Sequence, residues 1–381
     1  MLALTESLPL GLTDIFSPSA SDSMFPEPLL ELTGFQHSQP YPSCRTAIVG
    51  ALQAAEIGSE QEVLVPGYTC YAVQRAVEQV TTPVYVDVTE EYTMDLTHAA
   101  RQMSPDTAAI LPTHLFGTPC NMIEIAQFAT EHDLVVIEDA AQAIGTLLNS
   151  DQVAQYSDYC TFSFRFYKDA TAFGSGLLLS PTPGPSPSAD GQLLDQRLQL
   201  IGIKLFTETM GALPGRLYRP LRERVLDPIA RSRSDAVEPA EPTALSRWQR
   251  RLLDHQLDTL PERVRTRQNH ADRYAARLPD GIDYLEPADE CSYFRFPIQV
   301  ASELRDPLSA RLRERGVGCS KMYSYTVAPE GTCQTADRLA DGILNLPIHA
   351  GIDRLTIDRI AEITTDVYRE LDGASGTVVR E

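Results

Sequence analysis

The chain has 381 residues, is 43% apolar and carries a formal net charge of −20 with a pI near 4.7. That length exceeds one ordinary core, so two domains are expected, and the acidity argues against general nucleic-acid binding, which needs a basic footprint. Seven scattered cysteines without a C-x-x-C pair, dispersed histidines, no basic-then-apolar leader and no run of ~20 apolar residues predict a soluble, cytoplasmic protein with free thiols and no metal site.

Residues 1–40 are rich in Pro, Ser and Leu without a period and read as an N-terminal arm, extended against a partner or mobile. Order begins at Tyr41-Pro42-Ser43-Cys44-Arg45-Thr46. Ser43 or Cys44 is placed to cap a helix running to about Ile57, with Ile48, Leu52 and Ala55 on its apolar face and Gly58 as its stop. The free N–H groups of that helix start form an anion site to which Arg45 and the Thr46 hydroxyl can add. Strands are predicted at 62–66, 83–88, 108–112 and 134–139, alternating with helices at 71–79, 95–103 and 120–132. Continuous apolar strands alternating with amphipathic helices predict a parallel sheet covered on both faces.

In such sheets ligands gather at the carboxyl ends of the strands. The loop 67–71, the loop 113–117, the acids Glu138 and Asp139, and the turn at Lys168 should meet there. Neither G-x-G-x-x-G nor G-x-x-x-x-G-K-[ST] is present, which excludes the usual dinucleotide and P-loop sites. Pro-rich stretches at 181–192 and 232–243 flank a helical segment with Leu217, Leu221 and Val225. Its 8 basic and 4 acidic residues over 193–233 give a local charge of +4. Beyond it, a long helix with Leu252, Leu253, Leu257 and Leu260 starts near Leu245. A strand at 292–300, a helix at 308–315 closed by Gly316, an extended piece at 344–349 and a helix at 352–371 follow. The division is therefore 1–40, an arm; 41–244, a large domain with an insert at 181–243; and 245–381, a smaller α+β domain.

Only three lysines, Lys168, Lys204 and Lys321, stand against 29 arginines. Arginine stays protonated, whereas a lysine amine becomes a nucleophile once its surroundings lower its pKa from about 10.4. Alone, Lys168 reads equally as a surface charge, and Asp139 equally as the cap of the next helix. Together with Ser163 and the helix start at Arg45-Thr46 they match the needs of pyridoxal phosphate. These are an amine for its aldehyde, a carboxylate for its ring nitrogen and a cup for its phosphate.

Ile137-Glu138-Asp139-Ala140-Ala141-Gln142-Ala143, then Phe162-Ser163-Phe164 with Lys168 four residues on, resembles the DegT/DnrJ/EryC1/StrS family of sugar aminotransferases. The segments 62–66, 83–88 and 114–117 fit the same order; the likeness covers 41–180 closely and 245–370 loosely. It implies pyridoxal phosphate fold type I: an α/β large domain with a mainly parallel seven-stranded sheet, plus a smaller α+β C-terminal domain. It further implies that Lys168 holds the cofactor and shuttles a proton, that Asp139 pairs with the pyridinium, and that Gln142 contacts the ring hydroxyl. Ser163 and the amides near Arg45 and Thr46 would hold the phosphate, and Cys70, with Tyr71 beside it, falls where the family stacks an aromatic on the ring.

The implied activity moves an amino group, from an amino acid such as glutamate, to a nucleotide-linked keto-sugar. It does so in a homodimer with its active site at the interface. Related dehydratases carry histidine in place of the lysine, so Lys168 favours amino transfer. The alternatives are another pyridoxal-phosphate reaction on an amino or keto substrate, and a non-catalytic binding or regulatory protein on this fold. The chain departs from the family at Cys44-Arg45-Thr46, usually Ser-Gly-Thr, and at Asp169, usually Asn. Gly174-Ser175-Gly176 stands for the glycine turn after the lysine. Nothing matches the asparagine that a neighbouring subunit lends to the phosphate.

Overall fold

A computed structural model describes residues 25–148, 150–151, 153–165, 168–172, 174–186 and 241–375. Most of the predicted arm and nearly all of the basic insert lie outside the described residues.

The chain opens with α1 (Glu27–Thr33) and β1 (His37–Tyr41), then α2 (Cys44–Ala54). Strands β2 (Glu62–Pro66), β3 (Thr82–Val86), β4 (Thr107–Ile110) and β5 (Val135–Asp139) alternate with α3 (Tyr71–Glu78), α4 (Leu96–Gln102) and α5 (Met122–His132). Strands β6 (Tyr159–Phe164) and β7 (Ser175–Ser180) complete the first sheet. Its order is β1-β7-β6-β5-β4-β2-β3, with β2 to β6 parallel, β7 antiparallel to β6, and β1 antiparallel to β7. The mainly parallel seven-stranded sheet is as expected. β2 and β5, Glu-Val-Leu-Val-Pro and Val-Val-Ile-Glu-Asp, are almost wholly buried because helices cover both faces.

Local chemistry explains the helix boundaries. Ser43 caps α2 by accepting the Thr46 N–H while Thr46 reaches back to the Ser43 N–H, and Ala47, Ile48, Ala51 and Leu52 are buried. Asn121 caps α5, which buries Met122, Ile125, Phe128 and Ala129 and ends on Asp133 at φ 56°.

Three expectations are corrected here. Residues 27–41 are a helix and an edge strand rather than an irregular arm; β1 forms because five residues pair with β7, a long-range partner that its own His-Ser-Gln-Pro-Tyr does not announce. Ser175 and Gly176 belong to β7 and are not a turn. A Cβ on Gly176 would stand 2.4 Å from the Ser43 and Cys44 backbone, so glycine lets β7 run beneath the start of α2. The predicted strand 292–300 is regular only from Phe296. Ser292 and Arg295 instead donate their N–H groups to the carbonyls of Gly117 and Phe116, and Tyr293 turns at φ 49°.

After the insert, α6 (Arg247–Ala275) starts from a Ser246 cap. Its first half buries Leu253, Leu260 and Val264 against the large sheet; Ala271 and Tyr274 enter a second core. Around that core lie α7 (Ser302–Glu314), α9 (Arg354–Ser375) and a three-stranded antiparallel sheet, while α8 (Gln334–Gly342) buries Ala336 and Leu339 in a neighbouring cluster with Tyr68, Phe116 and Tyr323. The sheet order is β10 (Ile343–Leu346), β9 (Phe296–Gln299), β8 (Asp283–Tyr284). α7 begins at Ser302 and runs through Pro307, six residues before the predicted start, and α8 and β8 were not anticipated.

Candidate active site

The register decides which side chains meet. Asp139 pairs with Thr161, Thr161 with Leu178, and Ser163 with Gly176. Alternation puts Asp139, Thr161 and Ser163 on one face of the sheet, and Glu138 and Phe162 on the other. The first turn of α2 lies over the Asp139 face: Cys44 Sγ is 4.0 Å from Asp139 Oδ1. Of the two acids ending β5, only Asp139 therefore faces the helix start.

Asp139 is 3% exposed and its Oδ1 accepts the Ala141 N–H at 2.9 Å. Burial raises its carboxyl above the usual range, opposed by that N–H and by Lys168. Glu138, on the opposite face, is structural. It accepts the Ala154 N–H, the Ser157 hydroxyl at 2.7 Å and His114 Nε2 at 2.7 Å. His114 Nδ1 accepts the Cys120 N–H at 2.8 Å, so its ring proton sits on Nε2 and is donated to Glu138.

Lys168 is half-buried, with Nζ 4.8 Å from the centre of the Phe294 ring. Burial lowers its amine below the usual range, while Asp139, Cys70 and Cys44 pull upward and Arg295 pulls downward. Lys168, Asp139, Cys44 and Cys70 are thus brought into one electrostatic neighbourhood. Cys70 stands just before α3 without a side-chain capping bond, and its thiol lies in the fields of Lys168 and Asp139. The Tyr71 ring lies under Arg75 at 5.1 Å and 6.3 Å from the Tyr325 ring.

Gln142 is fixed at both ends, accepting the Phe116 N–H at 3.1 Å and donating to Tyr323 Oη at 2.7 Å. The Thr46 hydroxyl is spent within its own helix, donating to the Ser43 carbonyl at 2.8 Å. Arg45, in the same first turn of α2, is half-buried. Ser163 is buried beside that turn.

Sequence reasoning missed Cys44, Tyr323, Phe294 and Arg295. The last three come from the far side of the insert. Tyr323 and Phe116 both hold positive φ, 65° and 59°, with their rings 5.6 Å apart and nearly perpendicular. Left-handed backbone at bulky residues costs of order 1–3 kcal/mol each and persists only where surroundings impose it. A signal was available: Ser-Tyr-Phe-Arg-Phe-Pro packs three aromatics around an arginine, which an ordinary strand does not require.

A model of the DegT/DnrJ/EryC1/StrS aminotransferase family matches residues 17–190 and 236–365. The chain belongs to this family. The DegT/DnrJ/EryC1/StrS relatives include a UDP-N-acetyl-3-dehydro-alpha-D-glucosamine 3-aminotransferase of Acidithiobacillus ferrooxidans, 30% identical over 90% of this chain and 86% of that protein. A dTDP-3-amino-3,4,6-trideoxy-alpha-D-glucose transaminase of Streptomyces venezuelae is 27% identical over 90% of this chain and 89% of its own length. Among solved structures, NtdA from Bacillus subtilis with its cofactor PMP bound superposes with a TM-score of 0.68. It is 22% identical and covers 90% of this chain and 75% of its own, a likeness of fold. Family and fold agree with the resemblance carried by Asp139, Gln142, Ser163 and Lys168.

Proposed function

We propose that this aminotransferase uses pyridoxal phosphate to move an amino group from an amino acid, glutamate in the leading case, to a keto-sugar linked to a nucleotide. The observation that carries the reading is Lys168: an amine lowered by burial, set in the field of the buried Asp139 carboxylate. The nucleotide-linked acceptor is supported by the UDP- and dTDP-sugar relatives.

The residues present fit the cofactor. A carboxylate as buried as Asp139 is costly unless a cation meets it, and a protonated ring nitrogen is such a cation. Cys70, at the position where the family stacks an aromatic, would lie against the ring. When bound, pyridoxal phosphate supplies an aldehyde for an amine and a pyridinium that takes up the electron pair left by a departing proton. Lys168 would hold that aldehyde, yield it to the donor amine, and then move the proton. Asp139 would keep the proton on the ring nitrogen. Gln142, itself oriented by Phe116 and Tyr323, would hold the ring hydroxyl. The first-turn N–H groups of α2, Arg45 and Ser163 would take the phosphate. We also place the protein in the cytoplasm as a homodimer with its site at the interface; the seven free cysteines fit a reducing compartment.

The test is an absorption spectrum of the protein with pyridoxal phosphate, before and after excess glutamate, followed by borohydride and peptide mapping. A visible band that collapses with glutamate, and a reduced adduct on Lys168, are expected. An adduct on Lys204 or Lys321 alone, or an unchanged adduct in Lys168→Ala, would refute the lysine assignment. A protein that stays colourless would refute the cofactor.

A further inference from the structure

Helix α6 carries, among its leucines, a file of polar side chains: Gln249, Gln256, Arg263 and Arg267. Their spacing of seven, seven and four residues returns them to one helix face. Gln249, Gln256 and Arg267 are 6%, 1% and 7% exposed. Every one of them reaches the segment that follows Lys168. Arg267 Nη1 pairs with the Asp169 carboxylate, and Arg263 Nη1 donates to the Asp169 carbonyl at 2.8 Å. Gln256 grips the peptide groups of Thr171 from both sides, accepting its N–H at 2.9 Å and donating to its carbonyl at 2.9 Å. Gln249 donates to the Ala172 carbonyl at 2.9 Å.

An apolar seam would pack α6 on the sheet without these four groups, and buried polar groups are retained only with partners. Here the partners are the peptide groups and carboxylate of 169–172. The same helix continues into the second core through Ala271 and Tyr274. We propose that Gln249, Gln256, Arg263 and Arg267 are positioning residues that hold the Lys168 turn in place and tie it mechanically to the second core. The proposal builds on the reading of Lys168 as the reacting amine. Held there, the amine stays over Phe294 and partly dehydrated. A loosened turn lets it reach water and regain ordinary basicity.

The experiment uses the full-length cofactor-free chain, methylated with formaldehyde and cyanoborohydride across a pH series and read lysine by lysine by mass spectrometry. With three lysines the assignment is direct, and Lys321 is an internal control. For Gln256→Met, which changes no charge, the Lys168 midpoint should rise towards that of an ordinary lysine. Lys321 should not move, and amide exchange over 168–172 should quicken at least tenfold. Arg267→Met should behave alike, and Arg267→Lys should stay near the wild-type midpoint. If either methionine variant fails to fold, Gln249→Met and Arg263→Met, each removing less, give the same readout. A Lys168 midpoint that stays put in a folded variant overturns the proposal, even if stability has fallen. A wild-type chain whose Lys168 forms no borohydride-trapped adduct with pyridoxal phosphate would instead fail the functional reading, and the amide exchange would still decide the positioning role.

Discussion

At the scale of single residues, Lys168 sets reactivity against stability. Its folded-state pKa lies below the unfolded value, so the folded chain binds that proton less tightly than the unfolded chain does. The resulting cost is present in full below the folded pKa and disappears above the unfolded value near 10.4. In the cofactor-free protein Lys168→Met should therefore be the more stable form at pH 7. Melting both at pH 7 and near pH 10.5 checks the sign: the gap must narrow at the higher pH. Tyr323 offers a second test, since its phenol oxygen takes the Gln142 amide at 2.7 Å inside the protein. Tyr323→Phe should lose about 1 kcal/mol in denaturant unfolding, the net value of one such bond. Lys168, Asp139, Gln142 and Ser163 could be proposed from the sequence because each lies at or near the end of a readable strand. Tyr323 was not, because its partner is 181 positions away.

At the scale of elements, the junction of α2 with β7 is the tightest point near the proposed phosphate cup. Gly176 pairs with both Tyr41 and Ser163, and its missing side chain is what admits the Ser43–Cys44 backbone. Gly176→Ala should push α2 off the sheet, at a cost of about 1–3 kcal/mol. Cofactor affinity should weaken more than tenfold, measured by equilibrium dialysis of pyridoxal phosphate. An alanine variant that melts and binds like wild type would mean the helix start can shift freely. The glycine-rich run was visible in the sequence as a turn. That its second glycine serves a packing contact depends on a helix 130 positions earlier, which no local pattern encodes. Likewise the leucines of α6 announced a helix, while the polar file between them acquires meaning only beside 169–172.

At the scale of the molecule, the charge of −20 must act against compactness. Screening shortens the reach of that repulsion to about 10 Å at 0.1 M salt and about 3 Å at 1 M. The melting temperature should therefore rise by several degrees between 20 mM and 500 mM sodium chloride, as calorimetry would show. A flat response would mean that local ion pairs already balance the surface. Among the described residues no helix is long and apolar enough to cross a membrane, and no group of metal-ligating side chains is found.

The amino-acid sequence by itself determined the parallel α/β core, the order of its strands and helices along the chain, and the motif that marks the aminotransferase family. All of these rest on periodicity, capping and spacing within some thirty residues. Tertiary structure alone decided that β1 closes the sheet edge, and that Cys44 and Cys70 lie in the field of Lys168. It alone brought Phe294, Arg295 and Tyr323, which follow the insert in the chain, beside Lys168 and Gln142. The physical reason is common to these cases: pairing and packing energies belong to contacts, and contacts between distant segments exist only once the chain has folded.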